Sequence, residues 1–452
     1  MTGLSTPAGS RPRILELADR ISHSAAQLDT VLRAKSIPSP SFAEDAPAPY
    51  PSETDDVRDD IIDAAAELYD LLLEPMALLY KKTGVSPRRP MTAGFLFFLA
   101  TNDHQHNNMV CLQFITRFGV ADMVPAGGRA SFDDIAAQIP GLTESIVRRL
   151  LRHAMTMRVF HEPEPGMVAH TKASKALQAN PVLNAWLRNG THEMWPAAVK
   201  MLDALERWPG SSEPSETGFA LANDTVASAF EILGSDPARA ARFGRAMSIY
   251  AMKPEYSPSY LTEYYDWAAL ESGRVLAVAG GSYFQVAVEL ARRFPNLQIS
   301  LQDTAQSLPG PADGAVPSDV QERLHVAVVE DTFAPQIPGA QPVDIVLLRW
   351  VLHIWPDKYC VRLLRAQIPL MRPGTKLVIQ DVIFPKPGTI AQWREQDLRA
   401  SDIHMANLFN GQERTAEEWE ALIAHADSRF VVSRVVEPKG SALGIIEVCW
   451  RE

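Results

Sequence analysis

Two different spacings of hydrophobic residues divide the chain into an N-terminal and a C-terminal part. Before about residue 245, apolar positions recur every three to four residues, as in Ile14, Leu17 and Ile21, and this spacing predicts helices. After that point, short apolar runs alternate with helical stretches, which predicts an α/β fold with a parallel, doubly wound sheet. The runs predicted as strands, of which the last two form an antiparallel edge hairpin, are 275–278, 299–302, 325–329, 343–348, 376–380, 430–436 and 443–450.

The N-terminal part begins with a helical segment and a linker. A helical pattern covers residues 14–35, and a Pro-, Ser- and Ala-rich run follows over 37–52. This run is predicted as a linker, because repeated prolines lack the backbone donor that a helix needs. A long apolar helix is predicted over 61–79, bent or broken at Pro75, and an exposed apolar helix of this kind needs a partner. We therefore divide the chain into a helix with its linker, a helical domain and a C-terminal α/β domain, at 1–52, 53–245 and 246–452.

Residues 93–177 have the order of three helices and a short β-wing, which is similar to a winged helix. In transcription factors the second helix of that module reads DNA, and its arginines, among them Arg148 and Arg152, would suit phosphates. The formal net charge of the chain is −11, however, and such a surface repels nucleic acid. We therefore expect no nucleic-acid partner.

The composition is that of an ordinary globular protein, with 46% apolar and 21% charged residues. Its three cysteines are far apart and odd in number, so they form neither a disulfide framework nor a metal-spaced set. The first residues lack the apolar core of a signal peptide. The longest apolar run, 93–100, is also shorter than the roughly 20 residues that a membrane span needs. We expect a cytoplasmic protein without a membrane segment.

The stretch 274–304 has the order strand, small-residue turn, helix and strand of a nucleotide-binding βαβ unit. Its turn reads AVAGGSY over 277–283, which resembles the D-V-G-G-G-x-G loop of class I methyltransferases that use S-adenosylmethionine (SAM). The resemblance is greatest to the plant caffeate-type and fungal small-molecule O-methyltransferases. It implies a Rossmann-like catalytic domain, a mainly helical dimerisation domain, a homodimer and a small-molecule substrate.

The loop departs from the family pattern at three positions, where Ala277 replaces an acid, Ala279 the first glycine and Tyr283 the last glycine. Glycines let the backbone approach a ligand without an intervening Cβ, so a phenol ring at the last position should narrow the cofactor cavity. The remaining SAM contacts that the resemblance implies are Gly280, Gly281, Asp303, which would bind the ribose hydroxyls, and Asp331 and Arg349 near the adenine.

The strongest motif is LRWVLHIWPD at 348–357, which resembles the family's L-[KR]-W-x-L-H-D-W-x-D. The resemblance implies that His353 is the general base that takes a hydroxyl proton, a task that suits an imidazole. It also implies that Asp381 and Glu413 orient this base. Ile354 replaces an aspartate of the motif, and we expect the drier surroundings to disfavour the imidazolium.

The same resemblance predicts an apolar substrate pocket, although core packing alone would also explain a Phe and a Met spaced by four residues on one helix. The predicted pocket residues are Phe243, Met247, Trp350, Met405, Phe409 and Asn410. We assign no metal, because the histidines of the run Asp103 to His106 are two residues apart and do not share a helical face.

Two functions are compatible with these residues. One is a genuine SAM-dependent O-methyltransferase that acts on a phenol or hydroxyl of a small aromatic natural product. The other is an O-methyltransferase-like pericyclase of secondary metabolism, which folds a reactive polyketide-derived molecule for an Alder-ene or hetero-Diels–Alder cyclisation or a dehydration. The sequence favours the second function, because the three losses fall in the donor loop and spare the substrate side. No cofactor is then required, although SAM could still bind.

Overall fold

The computed structural model describes residues 11–46, 50–72, 104–270, 272–278, 284–304, 316–337 and 342–451. The chain forms two compact units, Met1–His192 with Pro387–Asp397 and Glu193–Lys386 with Leu398–Glu452. Residues 193–245, assigned from the sequence to the helical region, thus cluster with the sheet. The predicted cofactor residues Gly280 and Gly281 lie outside the described residues, as do Ala279, Tyr283, Pro75 and Asp103.

The first unit is mainly helical, as its hydrophobic spacing predicts. Its first two helices are held side by side by Asp60, which accepts a hydrogen bond from Ser24 Oγ at 2.5 Å and forms an ion pair with Arg20. An apolar cluster of the same unit includes Phe114, Ile135 and Leu151. Among the described residues of this unit, the α-helices are Arg13–Ala34, Asp55–Leu71, His104–Phe118, Val120–Met123, Phe132–Ala137, Glu144–Thr156, Lys172–Leu177 and Pro181–Asn189.

A two-stranded antiparallel sheet pairs β1 (Arg129–Ser131) with β2 (Met167–Ala169), and only β2 lies in the stretch predicted as the wing. The helices Phe132–Ala137 and Glu144–Thr156 lie between these strands in the chain. On the second of these helices, Arg152 is bound by Glu162 through two hydrogen bonds of 2.8 Å. The winged-helix interpretation itself stays a prediction.

The second unit contains a seven-stranded sheet in the order β5-β4-β3-β6-β7-β9-β8. Strands β3 to β7 pair in parallel, while β9 pairs antiparallel with both β7 and β8. The predicted doubly wound sheet with an antiparallel edge hairpin is therefore confirmed. The strands are β3 Arg274–Val278, β4 Gln298–Asp303, β5 Leu324–Val328, β6 Ile345–Arg349, β7 Lys376–Asp381, β8 Phe430–Val436 and β9 Gly444–Trp450.

Helices cover this sheet and bury a continuous apolar core against it. The single helix predicted over 191–207 is instead three pieces, and Pro196, which cannot donate a backbone hydrogen bond, lies at the start of the second piece. A π-helical turn, Gly190–Met194, precedes Trp195–Val199 and Met201–Arg207. The other helices of this unit are Gly218–Ala222, Ala229–Gly234, Pro237–Met247, Ser259–Tyr264, Phe284–Arg293, Asp357–Ala366, Gln392–Phe409 (which begins in the first unit) and Ala416–Ala426.

Strand order reverses between β3 and β6, and in sheets of this type ligands bind at the carboxyl ends of the strands near such a point. This edge of the sheet is therefore the place to examine for a site. Within the described parts of the chain, every helix is too short or too polar to cross a bilayer.

Candidate active site

A sharp turn after β6 brings His353 to the carboxyl end of the sheet. Trp350 adopts a left-handed backbone conformation with φ of 51°, and its N–H donates to the carbonyl of Gln380 on β7 at 2.7 Å. A 3-10 turn, Leu352–Ile354, follows and carries His353. A bulky residue with positive φ is uncommon and costs conformational energy, which the contacts with β7 offset.

The three residues predicted as the catalytic group lie together. His353 Nδ1 and Glu413 Oε1 are 3.0 Å apart, and both side chains are buried. Asp381 ends β7, and its two oxygens accept hydrogen bonds from the N–H of Leu352 at 3.2 Å and of Val382 at 2.9 Å. The ligand atoms of the three residues all lie within 4.8 Å of one another. The structure therefore brings the predicted group together, and its catalytic role stays a prediction.

The charges around His353 decide its protonation. Burial disfavours the imidazolium, but the negative charges of Asp381 and Glu413 outweigh burial, so the pKa of His353 is raised above its ordinary value. The expected effect of dry surroundings is therefore present, but the two carboxylates outweigh it. Burial also raises the pKa of the Asp381 carboxyl, against the opposing influence of His353.

The same three side chains are of types that ligate metals, but their contacts are those of a hydrogen-bonded base. His353 Nδ1 is hydrogen-bonded to Glu413 Oε1, and both Asp381 oxygens accept from backbone N–H groups. These hydrogen bonds account for the grouping of the three side chains without an ion. We do not propose a metal centre at this position.

Two of the predicted cofactor residues, Asp303 and Arg349, lie at the same edge of the sheet. Asp303 ends β4 and is buried, and its Oδ1 accepts from the N–H of Thr304 at 2.7 Å. Because Val278 at the end of β3 pairs with Gln302, this carboxylate lies beside the start of the loop that follows β3. Its predicted contact with the ribose hydroxyls of SAM stays a prediction.

The basic and acidic groups predicted near the adenine make contacts with the protein. Arg349 is buried at the end of β6, where it donates to the carbonyl of Tyr256 at 2.9 Å and to the side chain of Gln380. Asp331 is exposed after β5 and forms an ion pair with Arg362 at 2.8 Å. Their proposed roles toward a cofactor stay predictions.

The predicted pocket residues do not share one environment. Phe243 and Met405 are half-buried against an apolar cluster that includes the buried Phe409. Met247, at the end of the helix that carries Phe243, is also half-buried. Asn410 instead uses its amide on the backbone, donating to the carbonyls of residues 213 and 216 at 2.7 and 3.1 Å. This amide fixes a loop, an arrangement that no sequence pattern indicated.

An aromatic wall that the sequence reasoning missed surrounds Trp350. Its ring stacks on His353 with a centroid distance of 5.5 Å and on Tyr256 with a distance of 4.8 Å. Tyr250 meets Trp350 edge-on at 4.7 Å. The two tyrosines lie in a segment without a recognisable motif, so only the fold reveals this wall. Stacked and edge-on arrangements of this kind are the ones that aromatic pairs favour, and they stabilise the surroundings of His353.

The fold and this site together define an enzyme of the Rossmann-like methyltransferase type. The chain matches the O-methyltransferase domain over residues 219–428 and the O-methyltransferase dimerisation domain over residues 104–180. It is 39% identical to the O-methyltransferase PaMT of Phomopsis amygdali over 96% of each chain. It is 34% identical to the O-methyltransferase pyvH of Aspergillus violaceofuscus over 97% of this chain and 99% of that one. The protein belongs to the O-methyltransferase family.

Solved structures with the same fold include enzymes with different ligands. OxaC in complex with SAH and oxaline superposes with a TM-score of 0.72 at 17% identity, covering 97% of this chain and 99% of OxaC. LepI in complex with SAM superposes with a TM-score of 0.66 at 20% identity, covering 95% of this chain and 100% of LepI. At this level of identity the likeness concerns the fold alone.

Proposed function

We propose that the protein is a SAM-dependent O-methyltransferase that acts on a hydroxyl of a small aromatic natural product in fungal secondary metabolism. The hydrogen-bonded pair of His353 and Glu413 is the observation that carries this proposal. Support also comes from two relatives named O-methyltransferases that match the chain over nearly its whole length. The dimerisation domain supports a homodimer as the working form.

In this proposal the His353–Glu413 pair sets which nitrogen acts as the base. Nδ1 carries its proton toward Glu413, so the lone pair of Nε2 is left to accept a proton from the substrate hydroxyl. The raised pKa makes His353 a better proton acceptor once it is neutral. Asp303 would hold the ribose of SAM. SAM would supply an electrophilic methyl group to the substrate oxygen that His353 deprotonates.

A second candidate is a pericyclase or dehydratase that no longer transfers methyl groups. The three substitutions in the loop at 277–283 favour it, because they alter the part of the family pattern that approaches the methyl donor. The raised pKa of His353 also fits this candidate, since an imidazolium donates a hydrogen bond that polarises a carbonyl. A solved structure described as a pericyclic reaction enzyme shares the fold, with a TM-score of 0.65 at 20% identity.

Calorimetry with SAM and a turnover assay test the first proposal. The full-length protein is titrated with SAM and then incubated with SAM and a panel of phenols, and SAH is measured by mass spectrometry. We expect binding and SAH formation, with turnover lowered on the order of 10²-fold in His353→Asn. His161→Asn is the matched control, because His161 is an exposed histidine in the other compact unit, and we expect it to leave turnover unchanged.

Absence of SAM binding would contradict the first proposal and favour the second. Turnover in His353→Asn equal to that of the unaltered protein would contradict the role of His353 as the base. In that case His353 would be a packing residue within the aromatic wall.

A further inference from the structure

A buried arginine, Arg414, lies next to His353 and Glu413, and the proposed mechanism gives it no role. The Arg414 side chain is 1% exposed, yet its guanidinium has an acceptor for each of its five N–H groups. Nε and Nη2 bind Asp357 Oδ1 at 3.1 and 2.7 Å. Three further bonds go to backbone carbonyls, from Nη1 to Leu352 at 3.2 Å and Gln412 at 3.1 Å and from Nη2 to Trp355 at 3.1 Å.

These three carbonyls belong to the two segments that carry the base and its partner. Leu352 precedes His353, and Trp355 ends the same turn. Gln412 precedes Glu413. One rigid guanidinium therefore joins the turn that carries His353 to the loop that carries Glu413, although 60 residues of chain separate them.

The aromatic ring beneath Arg414 connects it to the third member of the group. The guanidinium carbon lies 5.2 Å from the ring centre of the buried Trp419. The indole N–H of Trp419 donates to the carbonyl of Val382 at 2.9 Å. Val382 follows Asp381 directly, so the same contacts also fix the end of β7.

We propose that Arg414 is a positioning residue that holds His353 and Glu413 at hydrogen-bonding distance. The planar fork of an arginine can satisfy acceptors on both segments at once, whereas a lysine offers three donors from one point. Removal of the guanidinium would leave the buried Leu352 carbonyl and the part-buried carbonyls of Trp355 and Gln412 without this donor, and the two segments could then separate. This inference rests on the proposed function only for the statement that His353 is the base.

The proton on His353 Nδ1 reports this geometry without any assay of activity. A full-length protein with isotope-labelled histidine is observed by NMR, and His353→Asn identifies the His353 resonances. We expect a protected Nδ1–H resonance in the unaltered protein, because this proton is buried in the bond to Glu413. In Arg414→Met, which retains an apolar side chain over Trp419, we expect its exchange with water to accelerate at least tenfold. An intermediate effect is expected in Arg414→Lys.

Arg429→Met is the matched control. Arg429 also stacks on a tryptophan, with its guanidinium carbon 4.3 Å from the ring centre of Trp450, but it is half-exposed and pairs with Asp427. We expect the exchange rate of the His353 Nδ1 proton to be unchanged in this variant.

If the Nδ1 proton of Arg414→Met exchanges with water at the rate of the unaltered protein, the proposal is overturned. It is also overturned if the unaltered protein shows no protected Nδ1–H resonance, because the bond between His353 and Glu413 would then be absent. If Arg414→Met does not fold, Arg414→Lys decides, and an unchanged resonance in that variant overturns the proposal. Calorimetry with SAM tests the proposed function separately, because it does not depend on the His353–Glu413 bond.

Discussion

Gly411 offers a direct test of how sensitive the site is to the position of His353. A Cβ built on Gly411 would lie 2.4 Å from the His353 carbonyl oxygen and 2.8 Å from the Ile354 carbonyl carbon. Both atoms belong to the backbone of the turn that carries the base, so no flexible side chain can move aside. The distance to the oxygen is about 1 Å shorter than an ordinary non-bonded contact.

The substitution Gly411→Ala should therefore displace the His353 backbone by a distance on the order of 1 Å. A displacement of this size at a reacting group lowers turnover on the order of 10²-fold. The strain should also lower the free energy of unfolding by about 1–3 kcal/mol. We expect the affinity for SAM to change little, because Gly411 neighbours the base and not Asp303.

Turnover is measured as SAH formation with the best phenol of the panel, and stability by denaturant unfolding. Gly234→Ala is the control, because a Cβ at Gly234 meets nothing within 4 Å, and it should change neither quantity much. If Gly411→Ala keeps turnover within twofold and unfolds at the same denaturant concentration, the turn yields easily, and the argument from contact distances is refuted.

Three further predictions follow from the site and its surroundings. The rate of methyl transfer should increase with pH as His353 loses its proton. Because the pKa of His353 is raised, the midpoint should lie above the ordinary histidine value of about 6.5. A rate that falls over this pH range would indicate that His353 is a proton donor and not a base. Gly218→Ala should destabilise the fold by about 1–3 kcal/mol in denaturant unfolding, because its Cβ would lie 2.5 Å from the carbonyl oxygen of Ala197; an unchanged midpoint would mean that the helix moves aside. Restoring the family loop should raise SAM affinity at least tenfold in calorimetry if Tyr283 narrows the cavity, and equal affinity would contradict the steric argument; the variant combines Ala277→Asp, Ala279→Gly and Tyr283→Gly.

Much of the sheet could be predicted because its strands are short apolar runs between polar turns. The bounds agree closely, as with 275–278 predicted against Arg274–Val278 observed, and with 430–436, which matches Phe430–Val436. Helices were predicted less well where a proline interrupts the pattern. The stretch 191–207 reads as one amphipathic helix, but its hydrophobic spacing does not reveal how the chain accommodates Pro196.

The family resemblance placed all three predicted catalytic residues. In the structure His353 follows β6 and Asp381 ends β7, and the carboxyl ends of these neighbouring parallel strands meet at one edge of the sheet. Glu413 is far along the chain and follows no strand, so no strand pattern would have indicated it. Its bond to His353 at 3.0 Å agrees with the placement from the resemblance.

By itself, the sequence determined the α/β class, the strands of the sheet and the family, because periodicity and motifs are properties of consecutive residues. Only the tertiary structure decided the net direction of the His353 pKa shift, because burial and two carboxylates oppose each other and their balance depends on distances in space. It also decided that Arg414 binds both segments of the site and that Asn410 holds a loop backbone. Such contacts join residues that are distant along the chain, and no local pattern of residues encodes them.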